Sequence, residues 1–265
     1  MFEAKYIFSL LIIIILYIVF EIKFIKTNRL VIKTDKIDNG DYIKIFQLSD
    51  YHNSKVNSQI ISKIREERPD IVVITGDIID KRTKSYKNVY SLLRKIVEIN
   101  KRVYFVNGNH EWKSGKLFEF LEHLENIGIK LLNNKMDIVE VRGMKINLCG
   151  IDCFPIYCDF EEAKNNLDSN TYTILLSHKP QITRFEGVSK IDLILSGHTH
   201  GGQIRLPFIR PFLKDKDGIS SRYDKGLFNI RNLKLYIDSG VGTTRFPIRL
   251  FVRGQISLIT LTSNN

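Results

Sequence analysis

The sequence predicts a layered α/β domain with mixed sheets, carried behind an N-terminal apolar helix. Three observations carry that prediction. Short apolar runs alternate with amphipathic stretches through the first half, the rhythm of βαβα units. Closely spaced, hairpin-like strand runs follow in the second half. Ahead of both lies an uncharged stretch from Tyr6 to Phe20.

That stretch justifies the first element. As a helix it extends about 22 Å at 1.5 Å per residue, short of the roughly 30 Å hydrocarbon core of a bilayer. Phe24 and Ile25 lengthen it, with Lys23 and Lys26 snorkelling to the headgroups. It is apolar on every face, which disfavours a buried N-terminal helix of the core, and no small-residue cleavage pattern follows it. Residues 1–25 therefore read as an uncleaved, single-pass membrane anchor. Lys23, Lys26, Arg29 and Lys33 outweigh Lys5, so the positive-inside rule leans toward a cytoplasmic domain; one short span leaves the side open. Residues 26–41 read as a polar connector with a turn at Asn39-Gly40.

The folded domain is expected over residues 42–262. Its first strand is predicted at Ile43 to Leu48 and its first helix at Asn57 to Glu67, closed by Pro69. Ile71 to Thr75 is a β-branched run of the kind buried on both faces of a sheet. A helix over Ser85 to Ile99, a strand over Val103 to Val106 and a helix over Lys116 to Asn126, ended by Gly128, continue the alternation. Strands are then predicted at Asp137 to Val141, Lys145 to Cys149, Thr173 to Leu176, Leu193 to Leu195, Leu235 to Ile237 and Ile256 to Leu261.

Composition narrows the function classes. With 265 residues, the chain suits one sizeable domain and a short appendage. Forty Lys and Arg against 29 Asp and Glu give +11, which favours phosphorylated or membrane-surface partners. Three cysteines (Cys149, Cys153, Cys158) exclude a full disulfide framework and show no CxxC spacing; Cys153 and Cys158 pair only in an oxidising compartment.

Chemistry-bearing residues gather just past the predicted strand ends. Asp50-Tyr51-His52 follows the first strand, Gly76-Asp77-Ile78-Ile79-Asp80 the second and Gly108-Asn109-His110-Glu111 the third. His178 and Gly197-His198-Thr199-His200-Gly201-Gly202 follow two later ones. Carboxyl ends of strands are where α/β folds place ligands. Alone, an Asp-x-His is usually a surface or capping pair, and a lone histidine usually sits satisfied in a core. Five of the six histidines at strand-end loops argue otherwise. Asp50 with His52, and His198 with His200, each project to one side. Asp77 has two oxygens with which to bridge, and Asn109 offers a neutral one. A nitrogen and oxygen donor set without sulfur suits Mn, Fe, Co or Zn.

In order, these segments spell D-x-H, G-D-x-x-D, G-N-H-E, a lone H and G-H-T-H. The series resembles the calcineurin-like metallophosphoesterases. Gly201-Gly202 and the Thr244-Arg245-Phe246-Pro247-Ile248-Arg249 segment are similar to their bacterial membrane- or envelope-associated branch. The resemblance implies a four-layer α/β/β/α sandwich of two mixed sheets and a binuclear centre of two divalent ions. One ion would be held by Asp50, His52, Asp77 and His200, the other by Asp77, Asn109, His178 and His198. A bridging hydroxide would attack phosphorus, with His110 at the leaving oxygen, Asp80 orienting His110, and Glu111 in support. Asp152-Cys153-Phe154-Pro155 stands where relatives often carry an Asp-Asp-Pro segment.

The expected function is thus phosphoester hydrolysis, on an envelope lipid or sugar-nucleotide phosphodiester or pyrophosphate. The remaining alternatives are a nuclease of the same fold and a non-catalytic, membrane-anchored phosphate-binding protein. The absence of any nucleic-acid-binding module weighs against nucleic acid as partner. Basic residues after the G-H-T-H loop, among them Arg205, Arg245 and Arg249, are candidates for a phosphate-attracting rim.

Overall fold

A computed structural model describes residues 2–153, 167–168, 170–184, 188–206, 223–244 and 246–264. The elements run α1 (Phe2–Lys23), β1 (Lys26–Lys33), β2 (Tyr42–Leu48), α2 (Asn57–Glu67), β3 (Ile71–Ile74), α3 (Lys87–Ile99), β4 (Val103–Phe105), α4 (Asn109–Lys113) and α5 (Leu117–Asn126). They continue with β5 (Lys130–Leu131), β6 (Lys135–Val141), β7 (Met144–Ile151), β8 (Tyr172–Ser177), β9 (Leu193–Ser196), β10 (Gly226–Ile230), β11 (Leu233–Ile237) and β12 (Gln255–Thr262). Short 3-10 segments lie at Pro180–Arg184, Val188–Lys190 and His200–Gly202.

Two six-stranded mixed sheets result, in the orders β1-β12-β2-β3-β4-β5 and β10-β11-β9-β8-β7-β6. The period-2 alternation of strand side chains explains why they stack. In β2, Ile43 and Ile45 point between the sheets, where they meet Ile174, Leu193 and Leu195. Phe46 and Leu48 point the other way, against Ile60 and Ile64 of α2 and Leu92 and Ile96 of α3. The second sheet covers its outer face with Ile182 and Ile191, on or beside the 3-10 segments, packed on Leu175 and Ile194. The layers are therefore helix, sheet, sheet and an outer layer, as the sandwich expectation requires.

The parallel pairings β2–β3–β4 and β8–β9–β11 aim the carboxyl ends of both sheets at one rim. Two close approaches hold that rim together. Gly76 sits at φ +84°, and a Cβ there would lie 2.4 Å from the Gly108 nitrogen. A Cβ on Gly240 would lie 2.5 Å from that of Asp50. Backbones this close need glycine.

One boundary differs from expectation. Residues 26–33 are an edge strand, β1, paired in parallel with β12 from Lys26–Gln255 to Lys33–Thr262, and not a polar connector. Ile32 is buried between the sheets with Leu30 packed beside it. At an edge strand the other face meets solvent, so Lys26, Arg29 and Lys33 masked the alternation. The chain consequently passes from α1 into the sheet within two residues. Smaller additions are α4, the two-residue β5, and β10, which pairs antiparallel with β11.

Candidate metal centre

Each candidate ligand is placed by the turn that follows its strand. Asp50, His52, Asp77, His198 and His200 all have φ between 47° and 73°. Left-handed backbone is uncommon for such residues, and it persists only where the surroundings over-determine it. Here they do. Asp50 N–H donates to the Gly76 carbonyl at 3.0 Å and His52 N–H to the Asp77 carbonyl at 3.1 Å. The Asp50 carboxylate accepts from Ser49 Oγ at 2.6 Å and from the His198 N–H at 3.0 Å.

The side chains converge in two groups. In one, His200 Nε2 lies 3.3 Å from Asp50 Oδ1 and 3.3 Å from His52 Nε2. In the other, His178 Nε2 lies 3.1 Å from Asp77 Oδ2 and 3.1 Å from His198 Nδ1. Asp77 Oδ2 also stands 3.8 Å from His52 Nε2, between the groups. Its other oxygen accepts the His110 N–H at 2.8 Å. His178 Nδ1 faces the Thr75 carbonyl at 2.8 Å, so the proton sits there and Nε2 is left for a ligand. Asn109 Oδ1 is buried without a hydrogen-bond partner. A lone buried acceptor is costly in a dry site and natural beside a cation. These donors fit divalent ions.

Electrostatics agrees with a site built around positive charge. Burial alone would raise the Asp77 pKa, but the neighbouring His178 and His52 outweigh it and hold the carboxylate far below its usual range. Burial raises Asp50, with His178 opposing. Burial would lower His178, yet Asp77 pushes it up to about 9. Burial and the charge of His178 bring His198 down to about 3. So many buried donors crowding one another call for a counter-charge.

His110 stands at the edge of the centre, with Nε2 4.0 Å from Asp77 Oδ2 and Nδ1 without a hydrogen-bond partner. Burial lowers its pKa to about 4, so its ring is neutral near pH 7. Asp80 was expected to orient His110 and instead lies 3.4 Å from His52 Nδ1. Arg82 clasps the same carboxylate, its backbone N–H at 2.7 Å and Nε at 3.0 Å, and Arg82 Nη1 donates to the Thr244 carbonyl at 3.0 Å. The motif spacing placed Asp80 in the site; the adjacent guanidinium decided which way it turned. A cavity of about 320 Å³ opens above, lined by His52, Asp80, Arg82, Thr243, Thr244 and Pro247 among others.

Two rim candidates serve other ends. Arg205 pairs with Asp224, and Arg249 is wholly buried, donating to the carbonyls of Ser239, Gly240 and Val252 at 2.8–3.1 Å, with Nη2 3.4 Å from His200 Nδ1. Arg245 and Cys158 lie outside the described residues, while Cys149 and Cys153 are buried free thiols.

Supporting residues complete the site. Glu111 Oε1 accepts from Ile78 N–H at 2.6 Å and Ile79 N–H at 3.1 Å, and Oε2 from Asp77 and Gly108 N–H, both at 2.8 Å. Burial pushes its pKa up to about 7 while those four donors favour the charged form. Asp152 takes Asn107 Nδ2 at 2.9 Å and Trp112 Nε1 at 2.8 Å, fixing both flanks of Asn109–Glu111. Asp238 binds Gly240 N–H at 2.6 Å behind Asp50 and was not foreseen. Its signal was available: Asp238-Ser239-Gly240 directly follows a predicted strand.

Glu111→Gln turns one acceptor oxygen into a donor facing two N–H groups. The expected cost is about 3 kcal/mol, read as a lower urea midpoint at unchanged m-value. An unaltered midpoint would show that Glu111 does not hold the Asp77 turn.

Comparison with known proteins places these features in context. The family model "Calcineurin-like phosphoesterase" matches residues 43–202. A metallophosphoesterase of Bacillus subtilis strain 168 named YkuE is 31% identical over 252 residues, covering 91% of this chain and 87% of that one. One from Aquifex aeolicus strain VF5 is 30% identical over 259 residues, covering 91% and 93%. A zebrafish (Danio rerio) "Transmembrane protein with metallophosphoesterase domain" is 30% identical over 241 residues, covering 83% of this chain and 53% of that one.

Proposed function

We propose, from the premise that the chain belongs to the calcineurin-like phosphoesterase family and is a phosphoric ester hydrolase, that it works through two divalent ions. Asp50, His52, Asp77 and His200 would hold one and Asp77, Asn109, His178 and His198 the other. The observation that carries this reading is Asp77 Oδ2 standing 3.1 Å from His178 Nε2 and 3.8 Å from His52 Nε2, a single carboxylate atom shared by two donor groups. When bound, such an ion pair supplies an acidified water and positive charge toward the phosphoryl oxygens.

The chain's own residues account for the rest. In hydrolysis a bond forms from water oxygen to phosphorus, the ester P–O bond breaks, and the departing oxygen takes up a proton. His110, neutral and at the edge of the centre, would donate a ring N–H hydrogen bond to that oxygen as negative charge develops on it, the proton itself coming from water. Asp80 and Arg82 shape the cavity wall, and Arg82, with its side chain 46% exposed, is placed to meet a second phosphate oxygen. Phosphodiesters or pyrophosphates of envelope lipids or sugar nucleotides are the substrates this reading favours.

α1 is read as the anchor. Lys5–Lys23 has mean hydropathy 2.3 and is only 6% buried against the rest of the chain. Its length, about 28 Å, is close to the hydrocarbon thickness. Detergent-solubilised full-length chain, stripped with EDTA, should be inactive on bis(p-nitrophenyl) phosphate and recover turnover with Mn²⁺. Failure of Mn, Fe, Co and Zn alike to restore it would end the hydrolytic reading.

A further inference from the structure

A single loop joins the wall of the catalytic cavity to the apolar helix. Between β11 and β12, Thr243, Thr244 and Pro247 line the cavity, and Arg249 is buried beside His200. Farther along the same loop, the Phe251 ring lies 5.5 Å from that of Tyr17, and the Arg253 guanidinium lies 4.7 Å from the centre of the Phe20 ring. Arg253 donates to the carbonyls of Phe24 and Ile25, and Gly254 N–H to that of Glu21 at 2.9 Å. Gln59 closes the other side, Nε2 to the Lys23 carbonyl at 2.7 Å and Oε1 from the Ile25 N–H at 3.1 Å. The end of α1 is thus docked on the loop that walls the site.

The height of Phe251 is what matters. Tyr17 precedes Lys23 by six residues, about 9 Å along a helix. Phe251 therefore reaches well up the apolar part of α1, past its basic end. It has exposed apolar company. Phe246 is 66% exposed, Ile248 37% and Phe251 50%, and on the adjoining segment Ile204 is 46% and Leu206 50% exposed. The two segments are bonded together, Arg205 N–H to the Leu250 carbonyl and Leu250 N–H to that of Gln203, both at 2.9 Å. Water-exposed apolar residues are ordinary when scattered singly; grouped at one rim they mark a contact surface. Lys23, Lys26 and Arg253 cluster at the basic end of the helix, where anionic headgroups would lie.

We propose that the 203–206 and 246–251 segments insert into the interface of an anionic bilayer beside α1, so that the cavity opens at headgroup level and takes phosphoesters carried on a lipid chain. This rests on reading α1 as a membrane span. The surface is continuous with that helix, which identifies the bilayer as its occupant. Substrate then arrives laterally, its alkyl chain remaining in the membrane while the phosphoryl group enters the cavity lined by His52, Asp80, Arg82 and Thr244.

Full-length chain in vesicles of phosphatidylcholine and phosphatidylglycerol tests this by tryptophan quenching with brominated lipids. Phe246→Trp and Phe251→Trp are compared with Ile13→Trp in α1 and with Ile138→Trp on the far edge strand β6, all against the single native Trp112. Added emission is expected to be quenched at residues 246, 251 and 13 and not at 138. Quenching at 13 without 246 and 251 overturns the inserted rim and leaves the anchor standing. No quenching at 13 removes both.

Catalysis supplies the second arm. Hexadecyl p-nitrophenyl phosphate in the vesicles and methyl p-nitrophenyl phosphate in solution present the same scissile bond. A Phe246→Ser, Phe251→Ser double variant should lose about tenfold in kcat/KM on the hexadecyl ester and keep its rate on the methyl ester. Equal losses on both, or no loss on either, overturn the lipid-substrate assignment. An inactive wild type on the methyl ester would instead strike at the hydrolase reading, and at the substrate half of the proposal with it.

Discussion

Replacing Asp77 with asparagine is expected to lower kcat/KM by about three orders of magnitude, some 4 kcal/mol of transition-state stabilisation. The substitution is nearly isosteric, and its amide oxygen can still accept the His110 N–H that Asp77 Oδ1 accepts at 2.8 Å. The lost group is Oδ2, the atom that stands 3.1 Å from His178 Nε2 and 3.8 Å from His52 Nε2. An amide NH₂ at that place cannot ligate and would repel the charge it should hold. Steady-state kinetics with bis(p-nitrophenyl) phosphate checks the loss, and circular dichroism checks that the fold is retained. A variant within a few-fold of wild type would mean that the two donor groups do not act as one centre.

His110→Ala is the second large effect and has a different signature. kcat should fall by about 10²–10³-fold, the usual worth of one hydrogen-bond donor aimed at developing negative charge. Bound metal should be unchanged, because His110 Nε2 is 4.0 Å from Asp77 Oδ2, farther than His178 at 3.1 Å or His52 at 3.8 Å. Elemental analysis beside kinetics separates this outcome from that of Asp77→Asn. Loss of metal on removing His110 would place it among the ligands; full turnover would remove it from the reaction.

The part of the site that was legible in the sequence shares one physical cause. Parallel strands buried on both faces, such as Ile71–Ile74, are continuous apolar runs, so a polar residue just past the end stands out. Asp50, Asp77, Asn109, His178, His198 and His200 stand out in that way, and the side chains of Asp50, Asp77, His178, His198 and His200 lie close together in the two donor groups. What escaped notice depends on partners remote in sequence. Asp80 faces His52 because Arg82 pins its other side, and Arg82 itself is steered by the Thr244 carbonyl. Arg249 is charged and lies in a loop, which reads as surface, yet a ring of backbone carbonyls receives it in the interior.

The edge strand β1 failed for a different reason. Edge strands show only half an apolar pattern, and in Lys26–Lys33 that half amounts to Leu30 and Ile32 among three basic residues. Its pairing with β12, the last strand of the chain, supplies the stability that local sequence does not advertise. The same pairing ties the helix to the domain, for Lys26 N–H bonds to the Gly254 carbonyl at 2.8 Å, at the start of β1.

Two ions per chain is the claim on which the rest depends. Titrating metal-free, full-length protein with Mn²⁺ while recording electron paramagnetic resonance tests it most directly. Binding should saturate at two Mn²⁺ per chain, with the spin-coupled spectrum of a close pair replacing the isolated-ion signal, and Asp77→Asn should abolish the coupling. Saturation at one ion, or two ions with uncoupled spectra in the wild type, would contradict a shared centre at Asp77.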